Sequence, residues 1–268
     1  MSLTFHETFS LDLGNLSRLL EIVSDNPEIS NDEIQLETGM GNRKVEPTVR
    51  YAAYCNLLDR APGSKEFSVT KFGKVVLEFD KYFVSPVTHW ALHYHLSNPT
   101  TGATAWSFFI YTFLPGNNEF TRAKLRSDLE TVNPDLKKSS MDKNIAPLLN
   151  SYLSSDGLKK IKVFSETSQG TFSREASALP NTYVAAYILA EIWDRHYGSN
   201  RMGIGHDILF ADGYFGAAMN MNQEETQKCL NDLSSLNLIE QMREAPPHQV
   251  VPKWGNKFDL LRTAYSDG

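Results

Sequence analysis

At 268 residues, with 41% hydrophobic and 11% aromatic side chains, the chain has enough apolar material for two or three packed units of a folded protein. Its formal net charge of −6 excludes a protein that coats nucleic acid through overall positive charge, because such affinity grows with the number of phosphates neutralised. Any contact with nucleic acid therefore has to come from a local basic surface.

Other features of the whole sequence predict a cytoplasmic protein. The first residues lack the basic and apolar regions of a secretory signal, and the longest aromatic run, at 105–114, is half the length of a membrane span. Cys55 and Cys229 each lack a nearby second cysteine, which argues against a zinc knuckle and against a disulfide framework. We expect no membrane contact.

Residues 1–84 predict a winged helix-turn-helix domain. Apolar residues at helical spacing over 13–27 predict a first helix, and Ser30 with Glu33 forms a capping-box pattern that opens a second. A third helix is expected to start near Lys44 or Val45, with Pro47 in its first turn. Two short strands around a Pro-Gly turn and a further apolar helix complete the pattern.

This first segment is locally basic. Residues 39–75 carry seven lysines and arginines against three acids, inside a chain that is acidic overall. A basic helix and wing are the electrostatic features of a duplex-binding protein, so double-stranded DNA is the predicted partner. The alternative is a winged helix used only for protein contacts. The predicted DNA contacts on the helix and the wing are Arg43, Lys44, Arg50, Lys65 and Lys71.

The segment "THWALHYH" at 88–95 holds three of the seven histidines. Ser85 and Pro86 open a helix there that is apolar nearly all round, which predicts a central, buried position. His89 and His93 are four residues apart, whereas His95 points away from both. A zincin-type site needs a glutamate beside the first histidine, but tryptophan stands there. We therefore predict hydrogen-bonded histidines in the core or in a cleft, with no metal site and no cofactor.

The rest of the chain predicts a helical middle domain over 85–180 and a winged-helix-like unit over 181–268. No phosphate-binding glycine loop or nucleophile elbow appears. In the last unit, Glu224, Glu225 and Asp232 outnumber Lys228 on the presumed recognition helix, which disfavours contact with phosphates. This unit is interpreted as a partner or homo-oligomer surface, or as an element that closes the core. The predicted class is mainly α with small β-wings.

Several stretches resemble the bacterial domain-of-unknown-function family four-thousand-and-seven. They are "FHETF" at 5–9, "GMGNRKVEPTVRY" at 39–51, "DKYFVSPVTHWALHYHLSNP" at 80–99, "TAW" at 104–106 and "FTRAKL" at 120–125. Within the histidine segment, His93 matches the family pattern, whereas His89 and His95 do not. Ile110 and Tyr111 stand where the family typically has phenylalanine and asparagine. Such proteins resemble the B component of the Ssp DNA-phosphorothioation system, which is linked to strand nicking.

Three hypotheses follow: the first rests on the basic first segment together with the resemblance, the second on the resemblance alone, and the third on the overall charge. The first is a DNA-binding accessory protein of a DNA-phosphorothioation or phage-defence system, whose other subunits are its partners. The second is a DNA nickase that depends on a divalent metal, with His93 as the candidate general base or ligand. The third is a transcriptional regulator or a protein-binding scaffold, which the acidic overall charge allows.

Overall fold

The computed structural model describes residues 5–61, 63–64, 66–132, 138–198, 203–211, 214–242 and 248–267. The chain divides after Glu175 into two compact units. Helices dominate both units and small antiparallel sheets accompany them, which confirms the predicted α+β class. The finer division at residues 84 and 180 stays a prediction. None of the helices in the described ranges is long and apolar enough to cross a membrane.

The first two helices begin at side-chain caps. Helix α1 (Leu13–Asp25) follows Asp12, whose carboxylate accepts a hydrogen bond from the backbone of the first turn. Helix α2 (Asn31–Thr38) follows Ser30, and the predicted capping box with Glu33 is present. The predicted apolar stripe of α1 is buried against the core: Leu13, Leu16, Leu19, Leu20 and Val23.

Helix α3 (Asn42–Tyr54) begins earlier than its sequence predicts. Gly41 is the N-cap, and the backbone N–H of Lys44 already donates to its carbonyl at 2.8 Å. Pro47 therefore lies in the second turn, and its predicted first-turn position was wrong. Because proline has no N–H, one bond of the helix is missing there. Val45 and Pro47 are both buried, so packing against the core accompanies this irregularity.

A short hairpin follows α3, as predicted. Strands β1 (Leu58–Asp59) and β2 (Ser68–Val69) pair antiparallel, and helix α4 (Lys71–Phe79) comes directly after them. A side chain at Gly73 would approach the carbonyl oxygen of Leu57 to 2.4 Å, which explains why α4 carries a glycine where it meets the hairpin. Positions 62 and 65 of the turn lie outside the described residues.

Helix α5 (Pro86–Ser97) is the buried centre of the first unit. Ser85 caps it, and every residue from 87 to 97 is buried, which confirms the predicted central position. The loop before it is held by the buried carboxylate of Asp80, which accepts backbone hydrogen bonds from Val84 and Ser85 at 2.9 Å each. The histidines of α5 therefore lie inside a packed core.

The middle of the chain is not purely helical, which corrects the prediction. Strands β3 (Glu119–Thr121), β4 (Phe164–Ser168) and β5 (Thr171–Arg174) form an antiparallel sheet in the order β3-β5-β4. Each strand is short and mostly polar, and one phenylalanine from each packs in a shared cluster with ring centroids 5.3–5.7 Å apart. Such short alternation is a weak signal in sequence. The helical elements are α6 (Thr104–Ser107), a π-helical turn (Phe108–Phe113), α7 (Arg122–Val132), α8 (Lys138–Leu153) and two 3-10 turns (Leu114–Gly116, Lys159–Ile161).

The second unit begins with a long helix and ends with a hairpin and a final helix. Its sheet has the order β6-β8-β7, so the last strand is central. Asn222 and Glu225 form a capping box at the start of its most acidic helix, α12. The elements are α9 (Thr182–His196), β6 (Ile204–Gly205), α10 (His206–Ala211), α11 (Tyr214–Ala218), α12 (Gln223–Ser235), β7 (Ile239–Met242), β8 (Gln249–Pro252) and α13 (Lys257–Ser266).

A partly buried lysine joins the first and last helices of the second unit. Lys257 Nζ lies 3.0 Å from Glu191 Oε1 and 3.0 Å from Asp194 Oδ2. Glu191 is only 4% exposed. Burial disfavours the charge on Lys257, but the two carboxylates outweigh it and raise the pKa of Lys257 above its ordinary value. The ion pair therefore holds α13 against α9.

Candidate nucleic-acid interface

Two of the predicted DNA-contacting residues lie in the first turn of α3. Arg43 and Lys44 are both exposed, and among the described residues neither has an acidic partner within ion-pair distance. Gly41 offers no side chain to cap the first-turn N–H groups, so the positive end of the helix dipole stays uncovered beside them. The start of α3 is therefore an electropositive surface.

Arg50 has a different environment from the two cations at the start of α3. Its Nε lies 3.0 Å from Glu46 Oε1, one turn away, and its Nη1 donates to the carbonyl oxygen of Phe5 at 3.3 Å. Both side chains of the ion pair are more than 40% exposed, so the pair adds little stability. The arginine helps to hold the amino-terminal segment against α3, and part of its charge is neutralised.

Of the two predicted wing contacts, the structure describes only Lys71. Lys65 lies outside the described residues, and Lys71 is exposed as the first residue of α4, directly after the hairpin. In the hairpin loop, the guanidinium of Arg60 lies over the ring of Phe67, 3.7 Å from its centroid. This cation–π contact fixes a positive charge on the hairpin that the sequence alone did not single out.

A further cation joins Arg43 and Lys44 in space. Arg18 of α1 is exposed, and its Nη1 donates to the carbonyl oxygen of Thr38 at 3.3 Å, at the end of α2. All three cations line one open cavity of about 530 Å³. Arg18 was missed in the sequence because it lies on another helix, and the only available signal was its place on the polar face of α1. Packing of α1 against α2 and α3 creates this group.

The three histidines of α5 point to three separate neighbours. His89 Nε2 lies 2.7 Å from the carbonyl oxygen of Phe83, and His93 Nδ1 lies 2.8 Å from the hydroxyl of Tyr152. His95 packs against the ring of Phe72, with centroids 4.7 Å apart. All three are 2% exposed or less. The helix therefore distributes them around the core and does not gather them at one centre.

The electrostatics of this core oppose charged side chains. Burial, the dominant cause, lowers the pKa of His89, and burial raises the pKa of Tyr152 well above its ordinary value. Both groups are therefore neutral at pH 7. His93, the candidate for chemistry, is fully buried beside Tyr152. Within the described ranges, no group of three or more histidine, cysteine or carboxylate side chains could hold a metal ion.

In the second unit, the helix that corresponds in order to α3 is acidic. Glu224 and Asp232 of α12 are exposed, whereas Glu225 is half-buried in the capping box. An open groove of about 970 Å³ runs beside this helix. Three acids, four amides, Phe210, Lys228 and His206 line it, and His206 Nε2 lies 3.1 Å from Gln227 Oε1. The excess of acids over cations on this surface disfavours contact with phosphate.

Comparisons with known proteins identify the family. Two solved structures are similar to this chain: a magnesium ion-bound SspB, with a TM-score of 0.77, and an SspB structure, with a TM-score of 0.74. Each is 18% identical, and each match covers 98% of this chain and 86% of that chain, which establishes a shared fold. No curated protein matches. Residues 3–265 match the family model described as "Protein of unknown function (DUF4007)". The chain belongs to the DUF4007 family.

Proposed function

We propose that this protein is a DNA-binding component of a bacterial DNA-phosphorothioation or phage-defence system. The observation that carries the proposal is the group of Arg18, Arg43 and Lys44 at the start of α3, in a chain of net charge −6. Cations without acidic partners attract phosphates, and counterion release then drives association. The likeness to SspB supports the link to such a system.

The element order supports a winged helix-turn-helix at this surface. Three helices and a hairpin follow one another over residues 13–69, which is the arrangement that such domains use to present their third helix to the major groove. In this arrangement Arg43 and Lys44 contact the backbone at the groove edge. Lys71 and the hairpin contact the flanking phosphates.

The test is a binding titration with a short duplex at low and at physiological salt. Replacing Arg43→Glu and Lys44→Glu should weaken binding at least tenfold. It should also reduce the slope of log affinity against log salt concentration by about two, because each lysine or arginine that contacts a phosphate contributes about one to that slope. The matched control is Lys228→Glu with Lys253→Glu in the second unit, which changes the net charge equally. An equal loss in the control would mean that only overall charge matters.

Phosphorothioated duplex provides the second arm of the same titration. A sulfur atom in place of a backbone oxygen changes hydrogen bonding at one phosphate and leaves the duplex charge unchanged. A preference for either duplex that disappears in the Arg43→Glu and Lys44→Glu variant would assign recognition of the modification to α3. Equal binding of both duplexes would mean that α3 contacts the DNA backbone without recognising the modification.

Strand nicking is the second candidate function, and the magnesium ion-bound SspB structure favours it. The described residues contain no group of three or more histidine, cysteine or carboxylate side chains that could hold a metal ion, and no catalytic step is assigned to one. A supercoiled-plasmid assay with Mg²⁺ or Mn²⁺ tests the activity. Nicking that survives His93→Ala would remove this buried histidine from the mechanism.

A further inference from the structure

Two cavities near the start of α3 adjoin each other and are called the cleft below, because four residues line both. The wider cavity, of about 530 Å³, contains Arg18 and Arg43, and the narrower one, of about 220 Å³, extends towards Asp156. Ligand pockets for small molecules usually measure about 300–1,000 Å³, so the wider part alone is large enough for a ligand group. The residues that line both cavities are Phe9, Asp12, Asn15 and Lys44.

The wider part of the cleft is cationic. Arg18, Arg43 and Lys44 line it, and the one acid there, Asp12, uses its two carboxylate oxygens to accept hydrogen bonds from the backbone and side chain of Asn15 at 3.0 and 2.7 Å. The carboxylate of Asp12 is therefore occupied in capping α1. Three cations around one cavity are suited to a phosphate group.

An aromatic ring lies where the two cavities meet. Phe9 is half-buried and lines both cavities, and Lys44 Nζ lies 5.9 Å from the centroid of its ring. A phenyl ring that is open to a cleft and next to cations can stack on a nucleobase while the cations bind its phosphate. The narrower cavity beyond the ring has polar groups for the edge of a base, including Ser10 and the acceptor carboxylate of Asp156.

The backbone before Phe9 is held in an unfavourable conformation. Glu7 and Thr8 have φ values of 45° and 75°, a region that non-glycine residues rarely adopt. The backbone N–H of Thr8 donates to His6 Nδ1 at 3.1 Å, so the proton of this ring lies on Nε2, which donates to Asn144 Oδ1 at 2.9 Å. Strain that the surrounding contacts maintain is typical of residues that present a functional group.

The ring is also fixed from the side of α3. The hydroxyl of Tyr51 donates to the carbonyl oxygen of Phe9 at 2.9 Å, and the backbone N–H of Phe9 donates to the carbonyl oxygen of His6 at 2.8 Å. Tyr51 is buried, and burial raises the pKa of its hydroxyl, which therefore keeps its proton for this bond. The segment holds Phe9 at the cleft before any ligand arrives.

From this geometry we infer that the cleft binds a single nucleotide, with its phosphate at Arg18, Arg43 and Lys44 and its base on the ring of Phe9. The ligand class is a nucleoside monophosphate, which is either free or the terminal or unpaired nucleotide of a DNA strand. This nucleotide site deepens the proposed function, because two of its cations, Arg43 and Lys44, are also proposed to contact duplex DNA. It rests on the proposed function only for DNA as the source of the nucleotide.

The experiment titrates the full-length protein with dAMP, with inorganic phosphate and with a blunt duplex, and follows binding by calorimetry. dAMP should bind at least tenfold more tightly than phosphate, because stacking on an aromatic ring adds affinity that phosphate alone lacks. Equal affinity for dAMP and phosphate, or no binding of dAMP, would overturn the inference. A strand with one unpaired terminal nucleotide distinguishes a DNA end from the free nucleotide.

Two variants separate this site from general DNA binding. Phe9→Leu should weaken dAMP about tenfold and leave phosphate and blunt duplex unchanged, whereas Arg18→Gln should weaken dAMP and phosphate together. Circular dichroism spectra and melting curves that match the wild type establish that each variant is folded. If the duplex does not bind but dAMP binding depends on Phe9, the proposed function fails and the nucleotide site stands. If Phe9→Leu binds dAMP as the wild type does, the site assignment is wrong.

Discussion

Two regions of this protein each contain a helix that is followed by a hairpin and a further helix, but the helices before the two hairpins carry opposite charge. In residues 13–79, two helices lead to α3, a hairpin and α4. In residues 182–266, α9, the short strand β6 and two short helices lead to α12, a hairpin and α13. Helix α3 carries three cations and one acid, whereas α12 carries one cation and three acids. The order of elements therefore decides which helix precedes the hairpin, whereas side-chain charge decides what that helix can bind.

The two regions also attach their last helix differently. Helix α4 is held by buried apolar side chains, including Phe72, Val75 and Val76. Helix α13 also buries apolar residues, but adds the Lys257 ion pair with Glu191 and Asp194. Apolar burial is insensitive to pH, whereas a half-buried ion pair depends on both partners staying charged. The second region should therefore be more vulnerable to single polar substitutions.

The largest expected effect tests this vulnerability. Lys257→Met should destabilise the second unit by about 3 kcal/mol, because Glu191 stays buried without its cation. Denaturant unfolding monitored by tryptophan fluorescence measures the loss. The double variant Lys257→Met with Glu191→Leu is the control, and it should recover most of the stability, because the buried carboxylate is removed together with the lysine and the remaining Asp194 is exposed. A loss in the double variant as large as in the single one would mean that packing of the lysine stem is the main contribution.

Charge reversal on α12 tests whether charge alone distinguishes the two regions. Replacing the exposed Glu224→Lys and Asp232→Lys should raise affinity for duplex DNA about tenfold at low salt, since each added phosphate contact strengthens binding. The same titration that measures the Arg43→Glu and Lys44→Glu variant measures this gain. Unchanged affinity would show that the groove beside α12, and not only its charge, differs from the surface at α3.

The smallest expected effect concerns the capping boxes, which both regions contain. Ser30 and Asn222 each form a capping box, at the start of α2 and α12. Ser30→Ala and Asn222→Ala should each cost about 1 kcal/mol, because each leaves first-turn N–H groups without a side-chain acceptor. Denaturation curves measure both changes. Similar losses would support equivalent helix starts, whereas a loss confined to one variant would show that the other helix start is held by tertiary packing.

The helices, their caps and the burial of α5 could be predicted from the sequence. Caps and apolar periodicity are local, so the capping box of Ser30, the opening of α5 at Ser85 and the buried stripe of α1 follow from neighbouring residues. Family membership could also be predicted from the sequence, because contiguous motifs indicate it. The early start of α3 was not predicted, since Pro47 argued against it and only core packing accommodates that residue.

The composition of the candidate site required the tertiary structure. Arg18 and Arg43 are far apart in sequence, and the packing of α1 against α3 brings them to one cavity. Charge identifies residues that can bind a phosphate, but it does not say which of them share a cavity, because that depends on how helices pack. The same reason explains the three histidines of α5, which lie within seven positions of the sequence and have separate neighbours in the core. Local propensities determined the elements of this protein, and long-range packing determined which side chains meet.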